Sequence, residues 1–116
     1  MTMTDDEAWR TEERFWTGGQ DHYREALDPE CIMAFPAPAG IMRGVGIAES
    51  LAGAPRWSLV AMSERRVGRP AADLLVLAYK ARGLRNCAAP YVAYCTSTYR
   101  HDGERWRLVQ HQQTPV

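Results

Sequence analysis

The sequence predicts an α+β fold in which N-terminal helices pack on a strongly curved, mainly antiparallel sheet, a cone-shaped α+β barrel. Three observations carry this expectation. A capping box opens an amphipathic helix near the N-terminus, four strand-like runs of about ten residues follow one another from Trp57, and Asp102-Gly103 joins the last two. Helices first and a meander afterwards place the helices on one face of the sheet. Strands longer than the usual five or six residues coil strongly, which leaves the helices in the mouth of a cone. The 116 residues suffice for one core, so the expected organisation is a single domain, 1–116.

Taken in order, Thr4-Asp5-Asp6-Glu7 is the capping box, in which Thr4 accepts from the Glu7 N–H and Glu7 reaches back. The helix it opens carries Ala8, Glu12, Phe15 and Trp16 on one side with Trp9 at the margin, and Gly18-Gly19 ends it. A shorter helix is expected over 20–27, with Tyr23, Ala26 and Leu27 inward and Asp28-Pro29 as its stop. A short apolar strand at 31–35, a Pro/Gly turn at 36–40, a brief return strand at 41–43 and a helical stretch at 47–52 follow. The remaining strands are expected at 57–67, 73–82, 91–101 and 104–113, with Gly68-Arg69-Pro70 turning the first pair.

A two-residue type I′ turn at Asp102-Gly103 fixes a register for the last hairpin: His101 with Glu104, Tyr99 with Trp106, Ser97 with Leu108, Cys95 with Gln110 and Ala93 with Gln112. The covered face then begins aromatic and ends in two amides. In that register His111 pairs with Tyr94 on the opposite face, and a single bulge would turn it inward.

Composition excludes several classes. Fourteen Lys and Arg balance fourteen Asp and Glu, so no basic excess exists to neutralise phosphates, and no nucleic-acid partner is expected. No apolar run reaches the ~18–20 residues that span a bilayer, and the acidic N-terminal stretch lacks the order of a signal peptide, so a cytoplasmic address and no membrane partner are expected. The three cysteines, Cys31, Cys87 and Cys95, match no zinc or redox spacing and read as reduced thiols. Gly44-x-Gly46 lacks the third glycine of a dinucleotide loop, and no cluster has metal spacing, so no cofactor is expected.

The helix with Phe15-Trp16, the segments 27–36 and 42–47, and the closing 98–108 with Gln112-Gln113-Thr114-Pro115 resemble the nuclear transport factor 2-like superfamily. This is the cone fold of ketosteroid isomerases and SnoaL-like polyketide cyclases, and the closing segments are similar to an uncharacterised bacterial branch of it. The resemblance spans nearly the whole chain and implies the fold more than a function, since the fold hosts enzymes, ligand carriers and dimerisation modules. Ketosteroid isomerases place a general-base aspartate before a proline after the first strand; here Phe35 precedes Pro36, so that base is absent. Whether the chain is an enzyme is left open by this resemblance. Polyketide cyclases use a His or Asp as acid or base, a role open here to His111, His22 or Glu12.

The candidate catalytic residues are His111 and Glu12. His111 can serve as acid or base, or can hydrogen-bond Tyr94 at a sheet-packing interface. Glu12 is either a half-exposed residue at the helix edge or, facing the sheet, a carboxyl whose pKa rises by desolvation. The candidate ligand-binding set is Trp16, Tyr23, Phe35, Tyr79, Ser97, Trp106, Gln110 and Gln112, around a cavity between the first helix and the sheet. The expected ligand is a small apolar molecule with one or two polar groups. The alternatives are an acid–base lyase, isomerase or cyclase on the same cavity, and a non-catalytic dimerisation module. A homodimer is expected through the open sheet face carrying Val92, Tyr94, Thr96 and Val109.

Overall fold

A computed structural model describes residues 2–116; Met1, at the start of the expected domain, lies outside them. Thr4 caps the first helix, α1 (Asp5–Thr17), with the Glu7 N–H donating to Thr4 Oγ1 at 3.2 Å and the Thr4 N–H to Glu7 Oε1 at 2.9 Å. The apolar positions recur at helical spacing, and α1 buries Ala8, Trp9, Glu12, Phe15 and Trp16. Helix α2 (Gln20–Ala26) follows and buries Tyr23.

The chain enters β1 (Leu27–Ala34) directly, four residues earlier than expected. Asp28-Pro29 does stop the helix but begins the strand: Asp28 accepts from the Glu30 N–H at 2.8 Å and pairs with Arg100 at 2.8 Å. The short strand β2 (Ile41–Arg43) pairs back on β1, and α3 spans Val45–Glu49. The long strands β3 (Leu59–Ala71), β4 (Leu74–Leu84), β5 (Tyr91–His101) and β6 (Trp106–Pro115) form an antiparallel meander. The turn expected at Gly68-Arg69-Pro70 falls later because β3 lies at the sheet edge, where a proline without an N–H is tolerated within the strand.

The six strands lie in the order β2-β1-β6-β5-β4-β3, with β1 parallel to β6 and the other neighbours antiparallel. The sheet is curved but not closed, and register shifts interrupt the β1–β6, β3–β4 and β5–β6 ladders. Bulges of this kind raise the local twist and bend the sheet around the helices. At the shift between Ser63 and Arg66, Glu64 sits at φ 52°, the left-handed region.

The last hairpin departs from the expected register. The turn is the longer loop 102–105, closed by the Asp102 N–H donating to Arg105 O at 3.0 Å. Asp102 Oδ1 accepts from the Glu104 and Arg105 N–H groups, Arg107 Nε donates to Oδ2 at 2.7 Å, and only Gly103 has positive φ. This side-chain turn displaces the two-residue type I′ alternative. The observed pairs are therefore His101 with Trp106 and Tyr99 with Leu108. Val109 is then bulged out, and beyond it Ser97 faces His111 and Cys95 faces Gln113.

One face of the sheet consequently carries Leu75, Leu77, Tyr79, Ala81, Ala93, Cys95, Ser97, Tyr99, Leu108 and His111, all buried beneath the helices. The other face keeps Tyr94, Thr96, Thr98, Gln110 and Gln112 half-buried or exposed. Among the described residues no helix is long and apolar enough to cross a membrane.

Candidate functional site

Helical spacing puts Glu12 and Trp16 one turn apart on the face of α1 that meets the sheet, and there they find partners from three strands. Glu12 is completely buried. Its Oε1 accepts from the Tyr99 hydroxyl at 2.7 Å, and its Oε2 accepts from Ser97 Oγ at 2.6 Å and from the Tyr79 hydroxyl. Tyr79 in turn accepts from Trp16 Nε1 at 2.9 Å. A buried carboxylate is tolerated only when donors replace its water, and each such charge-assisted bond contributes about 1.5–3 kcal/mol.

His111 completes the cluster. Its Nδ1 lies 2.7 Å from Ser97 Oγ and 3.4 Å from Glu12 Oε2. Ser97 commits its one proton to Glu12, so its oxygen accepts from the imidazole, and Nδ1 carries the hydrogen. Nε2 is then the acceptor, and Gln113 Nε2 donates to it at 3.0 Å. Tyr91 donates to Gln113 Oε1 at 3.0 Å, which fixes the orientation of that amide. Trp16 and Phe35 flank the ring, with centroids 6.5 Å and 5.9 Å from it.

Electrostatics follow from this packing. Burial pushes the Glu12 carboxyl up, but His111 beside it and the Ser97 and Tyr79 hydroxyls outweigh burial, and the net shift is downward. This corrects the expectation that facing the sheet would raise the Glu12 pKa. Burial, reinforced by the Glu12 charge, raises Tyr79 and Tyr99 well above the ordinary phenol, so both remain donors.

A half-open cavity of about 450 Å³ lies over His111, between the helices and the covered face. Trp16, Tyr23, Phe35 and His111 line it, so the structure gathers these four expected residues at one space. Glu12, Tyr79 and Ser97 stand behind His111, in the hydrogen-bonded network rather than at the cavity wall. The expected pairs Ser97 with Leu108 and His111 with Tyr94 are both replaced: the longer turn and the Val109 bulge set Ser97 opposite His111 and Tyr94 opposite Thr114.

The same bulge overturns the placement of Gln110 and Gln112. Both face away from the cavity: Gln110 Oε1 accepts from Thr98 Oγ1 at 3.1 Å, and Gln112 bonds Thr96 and Thr114. Trp106 is also displaced from the expected site, since the longer turn puts it opposite His101 at the far end of the hairpin. There it borders a separate hollow with Met3, Arg14 and His22.

Gln113, Tyr91, Arg56 and Arg85 also line the cavity, beyond the residues expected there. Gln113 was within reach, being two residues beyond His111 on the same strand face. The arginines lie outside regular elements, where no periodicity marks them. Arg56 donates from Nε to Gly18 O at 2.7 Å and from Nη2 to Phe15 O at 2.6 Å, holding the end of α1 beside the cavity. Arg85 lies over the Trp57 ring, its Cζ 3.7 Å from the centroid, and Trp57 stacks on Tyr91 at 5.5 Å. Among the described residues no group of three or more His, Cys, Asp or Glu is placed to hold a metal.

No protein-family model matches the chain, and no curated protein matches it by sequence. Solved structures match it closely in shape. The CamKII hub homology domain of Chlamydomonas reinhardtii aligns with TM-score 0.78 at 16% identity, covering 99% of this chain and 99% of that one. An NTF2-like protein from Cytophaga hutchinsonii aligns with TM-score 0.77 at 14% identity, covering 98% and 100%. The hexachlorocyclohexane dehydrochlorinase LinA-type3 of Novosphingobium barchaimii aligns with TM-score 0.71 at 15% identity, covering 93% and 84%. At these identities the likeness is one of architecture, and it agrees with the helices, strand order and curved open sheet described above: the chain carries the nuclear transport factor 2-like fold.

Proposed function

We propose that the chain binds a small, largely apolar molecule in the cavity over His111 and removes a proton from it, acting as an acid–base lyase or isomerase. The observation that supports this most strongly is the polarity of the imidazole. Nδ1–H is held by Ser97 with the Glu12 carboxylate behind it, and the proton-accepting Nε2 is directed to the cavity side, where Gln113 meets it. In the proposed step the Gln113 amide moves off Nε2, a C–H bond of the ligand breaks, its electron pair stays on carbon, and the proton moves to the freed Nε2 lone pair. The resulting imidazolium lies beside Glu12, whose buried charge stabilises it. The carbanion then expels a leaving group or is reprotonated at another carbon. His111 is the catalytic residue of this reading, and Glu12, Ser97 and Gln113 are positioning residues. A hexachlorocyclohexane dehydrochlorinase is among the proteins that share the fold.

Native mass spectrometry of the purified protein tests the binding half. A retained small molecule, lost when Met33→Trp fills the cavity, is the expected result. A protein that carries nothing and takes up no 2-naphthalenemethanol would contradict it. The recovered molecule, returned to the protein in D2O, is expected to gain deuterium with the wild type and none with His111→Gln. A wild type that gives no exchange and no elimination refutes proton abstraction and leaves binding standing.

A second reading, association through the open sheet face, draws support from Tyr94, 48% exposed on that face, and from hub domains among the similar structures. It is compatible with the first, since the cavity opens on the other side of the sheet. The same spectra report it as twice the 13.1 kDa chain mass, and Tyr94→Asp is expected to return the monomer.

A further inference from the structure

We propose that the ligand of this cavity carries a carboxylate, and that Arg85 receives it while Arg56 adds to the local positive charge. The proposal rests on the reading of the cavity as a ligand site and names the class of molecule it takes: a small aromatic or alicyclic acid. Both arginines line the cavity, and no aspartate or glutamate does. Among the described residues neither is in an ion pair. Arg56 spends its hydrogen bonds on two backbone carbonyls and the Tyr23 hydroxyl, acceptors that leave its charge uncompensated.

Arg85 is the more telling residue. Its guanidinium lies over the Trp57 ring, with Cζ 3.7 Å from the centroid, and its Nε is buried without a hydrogen-bond partner. A buried N–H left unmade costs free energy, and a natural chain keeps one mainly where an acceptor arrives from elsewhere. Stacking on an aromatic face leaves the edge of the guanidinium free, and that edge matches the two oxygens of a carboxylate. The apolar remainder of the wall, including Met33, Phe35, Ile47 and Leu51, suits the body of the acid.

The wall is also continuous from this cation to the base. Trp57 beneath Arg85 stacks on Tyr91, Tyr91 donates to Gln113, and Gln113 donates to His111 Nε2. An acid held by Arg85 is thereby anchored on the side of the cavity that leads to the proton acceptor.

Isothermal titration with a matched pair of probes, 2-naphthoate and 2-naphthalenemethanol, tests the inference. The naphthoate is expected to bind the wild type more tightly by about tenfold or more, the size of one charge-assisted hydrogen bond. Arg85→Gln is expected to abolish that advantage, so that the two probes bind it equally, and its circular dichroism spectrum is expected to match that of the wild type, which shows that the variant is folded. Arg85→Lys keeps the charge without the planar fork and is expected to recover only part of it. Equal binding of the two probes by the wild type overturns the carboxylate and leaves the cavity reading intact. A naphthoate preference that survives Arg85→Gln overturns the assignment to Arg85. Failure of both probes to bind overturns the cavity reading together with this one.

Discussion

Ser97 and His111 face one another across the last hairpin, with 2.7 Å between Oγ and Nδ1. They meet only because Val109 is bulged out of β6, which exchanges the two faces of that strand over its final residues. The exchange carries His111 and Gln113 to the cavity side and Gln110 and Gln112 to the other. Glu12, reaching the same serine from α1, converts the pair into a network of three elements.

Replacing Glu12 by Gln sets an amide among groups arranged to donate to a carboxylate. Three hydroxyls cannot all find acceptors on one amide oxygen, so Glu12→Gln is expected to lose about 3 kcal/mol or more of stability by chemical denaturation. Its folded-state pKa lies below the ordinary 4.5. A depressed carboxyl contributes stability that is present above the unfolded-state pKa and disappears as pH falls through the folded-state value. Wild-type stability is therefore expected to drop on acidification below about 4.5, and the drop is expected to be shallower in Glu12→Gln. Parallel pH profiles for the two proteins would contradict this.

Gly83 meets the wall of the cavity. A Cβ there would stand 2.9 Å from the Trp57 ring, which is itself held between Tyr91 and Arg85. Gly83→Ala is expected to cost about 1–3 kcal/mol, the range for overpacking, and to change Trp fluorescence as Trp57 moves. An unaltered spectrum and midpoint would show that the wall is loose.

The thiols should separate by burial. Burial pushes Cys31 and Cys95 up to about 12, whereas Cys87 is exposed. Native protein at neutral pH is expected to react with a disulfide reagent at Cys87 alone, and all three thiols to react after unfolding. Rapid labelling of Cys95 in the native state would mean that the covered face opens readily.

The sequence made the elements and the buried face of α1 legible, because capping, helical spacing and strand alternation are local signals. Spacing places Ala8, Phe15 and Trp16 on the inward face, and the structure buries all three; Glu12, on the same side, is completely buried rather than half-exposed at the helix edge. The hairpin register was out of reach for a physical reason. Asp-Gly favours a two-residue turn, but here the Asp102 carboxylate gathers two backbone N–H groups and Arg107 into a longer one. The bulge that followed inverted the faces of the two glutamines and the histidine. The Arg56 and Arg85 contributions lie in connecting segments, where only three-dimensional proximity reveals them.

The claim that His111 offers Nε2 to a ligand, with Glu12 and Ser97 behind Nδ1, is tested most directly by long-range 1H–15N NMR of the histidine side chains. The chain has three histidines, so His111→Gln assigns the signal. The account predicts the Nδ1–H tautomer for the free protein, with an unprotonated Nε2 whose resonance moves when 2-naphthoate is added. An Nε2–H tautomer whose resonance ignores the probe would contradict it.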